Sequence, residues 1–111
     1  MSALLFLISC AAIDGDTLRC AGIGKVRLGA IDAPELAGHC RPGRACVAGD
    51  GRASHRALAR LVNGRDVRCA ASGQDRYGRI IARCSVNGID LSCAQAQTGF
   101  AVERYGRLRC R

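Results

Sequence analysis

The sequence predicts a small five-stranded β-barrel with two helices, an α+β protein with the element order β-β-β-α-β-β-α. Runs of alternating apolar residues bounded by Gly, Asn and Asp indicate the strands. Between them, one stretch repeats apolar residues at helical spacing, and a shorter one follows a capping Asp. Two Tyr, two Phe and no Trp in 111 residues leave one modest core, built from aliphatic side chains.

We expect the first three strands at residues 4–13, 17–22 and 25–31. The first two form an antiparallel hairpin around Asp14-Gly15-Asp16. Gly15 lies at the tip of this tight turn, where Gly and Asp tolerate a positive φ. Ala33-Pro34 then ends the third strand, because proline forces the chain out of regular pairing.

Residues 36–51 form a long loop rich in Gly, Arg and Cys, and residues 52–62 predict a helix. Asp50 is the expected N-cap, and Asn63-Gly64 stops the helix. His55 is expected to be exposed and receives no role. An arginine stripe runs along the same helix, and such a stripe is more typical of a solvated face than of a nucleic-acid groove: Arg52, Arg56 and Arg60.

Two further strands are predicted at residues 66–71 and 79–86, followed by an Asn-Gly turn. Asp90 then caps a short helix over residues 91–97, and residues 100–109 are extended or irregular. This order of elements is that of a small barrel of the oligonucleotide-binding (OB) type. We expect residues 1–111 to form a single domain.

The carboxylates Asp16 and Asp32 lie where a turn and a strand end. We expect both to reach the same mouth of the barrel, where two close carboxylates repel unless a cation lies between them. A hard divalent metal ion is therefore the natural inference. Arg27 and Glu35 belong to the same stretch. One arginine beside a carboxylate is about as often a plain ion pair as part of a functional site. A metal ion, an arginine and a further carboxylate together are what attack on a phosphodiester requires.

Three motifs in order make the sequence similar to the staphylococcal nuclease (thermonuclease) family. They are D-G-D-T at 14–17, R-L-x-x-I-D-x-P-E at 27–35 and D-x-Y-G-R at 75–79. Each motif alone is weak, but all three occur in the family's order with every charged position filled. The resemblance covers about residues 10–106 and implies the five-stranded OB barrel of that family.

By this resemblance, Asp16, Asp32 and the backbone carbonyl of Ala33 bind one Ca²⁺ ion, with Glu35 as the general base or the residue that orients water. Oxygen ligands in a flexible, partly hydrated site suit Ca²⁺ better than Mg²⁺.

The resemblance also implies that Arg27 and Arg79 clamp the scissile phosphate and stabilise the five-coordinate phosphorus. Tyr77, Arg76 and Tyr105 match substrate-binding positions. For Tyr105, simple packing of the tail is an equally good interpretation.

The implied function is a calcium-dependent nuclease that cuts DNA and RNA with little sequence specificity. A net charge of +8 favours a polyanionic partner, although an arginine-rich composition can also reflect codon usage. The alternatives are a non-catalytic OB module that binds single-stranded nucleic acid and a disulfide-rich domain that binds another protein. We expect a monomer without an obligate protein partner.

Eight cysteines in 111 residues, none in a C-x-x-C pair, favour a disulfide framework over a zinc site. Hairpin symmetry suggests the first and third pairs, closure of a short loop suggests the second, and the fourth pair is what remains, out of 105 possible connectivities. The hypothesis is Cys10–Cys20, Cys40–Cys46, Cys69–Cys84 and Cys93–Cys110.

Disulfides point to a secreted or periplasmic protein. The apolar run 4–8 is short for a signal peptide and has no preceding Lys or Arg. Residues 7–10 resemble a lipoprotein cleavage box with Cys10 as the lipidated residue, but the same run is needed as the first strand, which we favour. We expect no transmembrane segment.

Overall fold

The computed structural model describes residues 4–110 and contains a closed, mixed five-stranded barrel. Strand β1 pairs antiparallel with both β2 and β5, β2 pairs with β3, and β5 pairs with β6. A parallel pairing between β3 and β6 closes the barrel. The predicted fold class is therefore confirmed. The barrel strands are β1 (Leu4–Ala12), β2 (Thr17–Cys20), β3 (Gly24–Leu28), β5 (Asp66–Gln74) and β6 (Ile80–Val86).

Three two-residue strands supplement the barrel, and the sequence did not predict them. Strand β4 (Ile31–Asp32) pairs antiparallel with β8 (Val102–Glu103), so that the chain after the second helix returns to the end of the third barrel strand. Strand β7 (Ile89–Asp90) extends the sheet beyond β6, after the predicted Asn-Gly turn. The β4–β8 pair matters most, because it brings the tail beside Asp32.

The core is aliphatic, as the composition predicts. The largest fully buried apolar side chains come from the barrel strands and from both helices, and they pack against the sulfur atoms of the strand disulfides. Burial of this apolar surface is the main favourable term in folding. The principal residues of the core are Leu18, Val26, Leu28, Ile31, Leu58, Val62, Val67 and Leu91.

Helix α1 (Gly51–Val62) begins at the predicted cap. The Asp50 carboxylate accepts hydrogen bonds from the backbone N–H groups of Arg52 and Ala53 at 3.0 and 3.1 Å, and Asn63 ends the helix. The expectation that His55 is exposed is wrong. Its Nε2 atom lies 2.8 Å from the Ala12 carbonyl oxygen, which fastens the helix to the end of β1.

Gly15 is required for a different reason from the one predicted. Its backbone does not adopt a positive φ. A Cβ atom at this position would instead collide with the Ser54 side chain and lie 2.8 Å from the Ala33 Cβ. The turn therefore needs glycine because helix α1 packs directly on it.

Four disulfides form, and they are the four pairs predicted from the sequence. Cys10–Cys20 and Cys69–Cys84 join directly opposed residues of neighbouring strands. The other two close a surface loop and tie the tail to helix α2 (Leu91–Gln97): Cys40–Cys46 and Cys93–Cys110.

The N-terminal run is a strand, as favoured from the sequence. Cys10 lies inside β1, and its sulfur is consumed in the bond to Cys20, so it is not free to carry a thioether lipid. None of the helices within residues 4–110 is long and apolar enough to cross a membrane.

A buried amide connects both helices to the Asp14–Thr17 turn. Gln95 is 1% exposed, and its Nε2 donates to the carbonyl oxygens of Gly15 and Ser54 at 2.8 and 3.0 Å. Ser54 in turn donates to the Phe100 carbonyl at 2.7 Å. Since buried carbonyl groups must find donors, this network fixes the turn against the helices.

We expect Gln95→Ala to lower the free energy of unfolding by about 1–3 kcal/mol, because it leaves buried carbonyl oxygens without their donor. Urea unfolding measures the change. Gln97→Ala is the matched control, since Gln97 lies on the exposed side of the same helix. Equal losses in the two variants would contradict the role given to Gln95.

Candidate active site

Arg27 is a buried cation between two carboxylates. Its side chain, 10% exposed, projects from β3, and its Nη2 atom lies 3.3 Å from Asp16 Oδ2 and 3.4 Å from Asp32 Oδ1. Its Nη1 atom donates to the Leu28 carbonyl at 2.9 Å. Three of the charged residues that the motifs single out, Arg27, Asp16 and Asp32, therefore meet at one point.

The position of Asp16 follows from local hydrogen bonding. Its Oδ2 atom accepts from the Ala33 backbone N–H at 2.9 Å, and its Oδ1 atom accepts from the Thr17 hydroxyl at 2.9 Å. The Asp14 carboxylate accepts from the Asp16 N–H at 3.0 Å, as Asp side chains in tight turns commonly do. The turn and the end of β4 are therefore joined through one carboxylate.

Asp32 is shared by three arginines. Besides Arg27, Arg44 Nη2 lies 3.4 Å from its Oδ1, and Arg104 Nη1 lies 2.9 Å from its Oδ2. Arg104 reaches it because β8 pairs with β4 and because the Arg104 N–H donates to the Ala30 carbonyl at 2.9 Å. Asp32 itself is 1% exposed, and a buried carboxylate needs positive partners because it has lost its contact with water. The three guanidinium groups provide them.

Glu35 lies at the rim of this cluster. Its Oε1 atom accepts from Arg44 Nη1 at 2.6 Å, and its side chain is 20% exposed. Helix α1 begins immediately beside its backbone, since a Cβ atom on Gly51 would collide with the Glu35 carbonyl group. Glu35 is therefore held close to Asp32 while keeping access to solvent.

Negative charge is crowded on this side of the barrel. Burial and repulsion from Asp16 raise the pKa of Asp14 to about 7. Burial and the same neighbour raise the pKa of Asp32, against the attraction of its three arginines. Burial also acts to raise the pKa of Asp16, but Arg27 and the hydrogen bonds that Asp16 accepts hold it below its ordinary value.

Arg79 is oriented by a carboxylate of its own. Asp75 Oδ2 accepts from Arg79 Nε at 2.6 Å, and Asp75 Oδ1 accepts from the backbone N–H groups of Tyr77 and Arg79. Arg79 immediately precedes β6, whose Ile81 is the partner of Arg27 in β3. In the part of the chain that the structure describes, Arg79 makes no ion pair with Asp16, Asp32 or Glu35.

Both tyrosines singled out from the sequence are exposed, Tyr77 by 58% and Tyr105 by 70%. Tail packing therefore does not account for Tyr105. Arg104 lies 5.2 Å from the centre of its ring. The Tyr77 ring is surrounded by three guanidinium groups at 5.1–5.7 Å, those of Arg76, Arg41 and Arg79.

The donor set fits a hard cation in its chemistry. Two carboxylates lie within 3.4 Å of the same Arg27 nitrogen, so oxygen donors are concentrated at this point, while burial and, after it, repulsion from Asp16 raise the pKa of Asp32. No group of three or more His, Cys, Asp and Glu side chains in residues 4–110 forms a ready-made metal cage. A cation here would therefore draw on two carboxylates, backbone oxygen and water, which suits Ca²⁺.

A sequence model described as staphylococcal nuclease homologue matches residues 25–109 of this chain. The chain belongs to the staphylococcal nuclease family. The matched range contains Arg27, Asp32, Glu35 and Arg79, whereas Asp16 precedes it.

The chain is also similar to an uncharacterised endonuclease of Haemophilus influenzae, with 41% identity over 92 residues. The similarity covers 79% of this chain and 46% of that protein, so the chain spans about half of its relative's length. This similarity agrees with the match to the family model.

Sequence reasoning missed two residues of this nuclease-family site, Arg44 and Arg104. Both contact Asp32, from 12 and 72 residues away along the chain. Arg44 lies in the loop recognised only as arginine- and cysteine-rich, and Arg104 lies next to Tyr105 in a segment expected to be irregular. The closeness of Arg104 to a proposed substrate-binding tyrosine was the one available signal.

We expect Asp75→Asn to destabilise the protein most at neutral pH. Partial burial opposes ionisation, but hydrogen bonds from Arg79 and its neighbours hold the pKa of Asp75 below its ordinary value. A lowered pKa in the folded state stabilises the fold above the unfolded-chain pKa of about 3.9, and this contribution is lost as pH falls.

The measurement is urea unfolding of both proteins at pH 7 and at about pH 3. The difference between wild type and variant should shrink at acid pH. A difference that stays constant would show that the charge of Asp75 is not involved. Asp66→Asn, which removes an exposed carboxylate at the start of β5, is the control.

Proposed function

We propose that this protein is a calcium-dependent nuclease that hydrolyses phosphodiester bonds of DNA and RNA with little sequence specificity. The observation that carries the proposal is the buried Arg27 between Asp16 and Asp32, with Glu35 at the rim of the same cluster. This geometry combines a guanidinium, oxygen ligands and a spare carboxylate within one site, as phosphodiester hydrolysis requires.

In this proposal Asp16, Asp32 and the backbone carbonyl of Ala33 hold the Ca²⁺ ion. The cation supplies Lewis-acid stabilisation of the phosphoryl oxygens when it is bound. The short contact between the Ala33 N–H and Asp16 supports the assignment, because it keeps these two ligands together.

Glu35 is the proposed general base, or the residue that orients the attacking water. Its partial exposure suits this role, since a fully buried carboxylate has no solvent to activate. Water attacks phosphorus, its proton passes towards the Glu35 carboxylate, the ester P–O bond breaks, and the leaving oxygen takes a proton from solvent to give the alcohol.

Arg27 and Arg79 are the proposed donors to the five-coordinate phosphorus. Arg27 is rigidly placed by its carboxylates, and Arg79 by Asp75, so neither needs to reorganise as charge develops on the phosphoryl oxygens. Tyr77, Arg76 and Tyr105 are the proposed substrate-binding residues. Their exposed rings offer stacking surfaces for unpaired bases, with guanidinium groups nearby for phosphates.

We also propose that the protein acts as a monomer in a secreted or periplasmic setting. Support for the location comes from the four disulfides, which form and persist in oxidising compartments.

The test is cleavage of end-labelled single-stranded DNA and RNA by the oxidised protein, with Ca²⁺ and with a calcium chelator. We expect the chelator to abolish cutting. Glu35→Gln and Arg79→Ala should each lower kcat by at least about a hundredfold, the typical cost of losing one such group.

Arg56→Ala is the matched control, because it removes the same charge from the exposed face of α1. Binding of single strands without cleavage, unaffected by the substitutions at Glu35 and Arg79, would overturn the nuclease proposal. That result would favour the non-catalytic OB module instead.

A further inference from the structure

The loop between Cys40 and Cys46 is a covalently closed ring beside the candidate active site. The disulfide joins residues six apart, with 6.2 Å between their Cα atoms. Inside the ring, the Arg44 N–H donates to the Arg41 carbonyl at 3.1 Å, as in a tight turn. The ring is exposed to solvent, yet it is not loosely attached to the barrel.

Two contacts tether the ring to the site. One is the Arg44 guanidinium, whose Nη1 lies 2.6 Å from Glu35 Oε1 and whose Nη2 lies 3.4 Å from Asp32 Oδ1. The other is the Ala45 carbonyl, which accepts from Arg104 Nη1 at 3.1 Å while the same nitrogen binds Asp32 at 2.9 Å. The ring and the Asp32 carboxylate are therefore fixed to each other from two sides.

Arg44 differs from an ordinary surface ion pair because of its second contact. Exposed pairs contribute little, since both side chains lose freedom to form them. Here one partner, Asp32, is 1% exposed and already immobilised by Arg27 and Arg104. The planar guanidinium bridges that fixed carboxylate to the more exposed Glu35, which a compact ammonium cannot do with the same geometry.

Within residues 4–110, Arg44 is the donor that holds the Glu35 carboxylate. A general base contributes fully only when it is held in line with the water and the phosphorus, and an error of about 1 Å can cost about a hundredfold in rate.

We propose that Arg44 is a positioning residue for Glu35 and that the Cys40–Cys46 disulfide holds Arg44 in the place from which it contacts Glu35. This inference rests on the proposed nuclease function. It assigns to the arginine- and cysteine-rich loop a part in the chemical step, separate from any contact that the loop makes with substrate.

The first experiment compares steady-state kinetics of the wild type with those of Arg44→Gln and Arg44→Lys on a single-stranded DNA substrate. We expect Arg44→Gln to lower kcat by about ten- to a hundredfold with KM changed by less than about threefold. Arg44→Lys should restore part of the loss, because the ammonium reaches one carboxylate but cannot bridge two. Arg56→Gln is the control for loss of one positive charge.

The second experiment tests the disulfide through a double-mutant cycle. The double substitution Cys40→Ser/Cys46→Ser should lower kcat to a similar extent. Adding Arg44→Gln to it should cost little more, because both changes remove the same contact. Circular dichroism and thermal unfolding of each variant establish that the barrel remains folded.

A third measurement does not depend on activity. Rotation of a guanidinium is slowed when both of its terminal nitrogens are hydrogen-bonded, so the Arg44 Nη protons should give resolved NMR signals in the wild type. These signals should collapse in Glu35→Gln and in the double cysteine variant. They should persist in the Arg56→Gln control.

A rise in KM without a fall in kcat would assign Arg44 to substrate binding, and an increase in kcat would make it an inhibitor. Either result overturns the inference, as do fully additive losses or NMR signals indifferent to the disulfide. A wild-type protein that does not cut overturns the proposed function itself. A wild type that cuts no faster than Arg44→Gln overturns the positioning role alone.

Discussion

The structure depends on the burial of one positive charge. Arg27 projects from a barrel strand into a buried site, and a guanidinium so removed from water is tolerated only with close anionic partners. Asp16 and Asp32 supply them, so the turn after β1 and the end of β4 must converge on β3. Gly15 permits that convergence by letting helix α1 pack directly on the turn, and Gln95 fixes it by binding the turn's carbonyl. Hairpin, helices and tail are therefore all arranged around one ion triad.

Further charged groups of each sign lie around the triad of Arg27, Asp16 and Asp32. Arg27, Arg44 and Arg104 surround Asp32, yet burial and repulsion from Asp16 raise its pKa, and burial and the same neighbour raise the pKa of Asp14 to about 7. Carboxylates that repel one another accept a cation readily, and guanidinium groups that converge accept an anion. The cluster therefore presents charged groups of both signs at one point of the surface of the barrel.

Local signals in the sequence predicted much of this, and long-range contacts account for what they missed. Caps such as Asp50 and Asp90 act within three residues, and the hairpin disulfides follow from strand symmetry, so both can be read from short stretches. Arg104 meets Asp32 only because β8 returns to β4, a pairing of two residues that carries no periodic pattern. The reason for Gly15 was likewise wrong, because the constraint comes from Ser54 rather than from the turn's own backbone.

The Cys40–Cys46 ring is closed by its own disulfide and does not rely on the hydrophobic core for that closure. Its closure is local, spanning six residues, whereas the disulfides of the barrel and tail span ten to seventeen. The ring contacts the rest of the protein near Asp32 and Tyr77. It contributes no buried apolar residue to the core. Substitution of its exposed residues other than Arg44 is therefore expected to leave the packing of the barrel core unchanged. A short covalent closure can thus place one side chain at a site without committing any apolar residue of the core to that task.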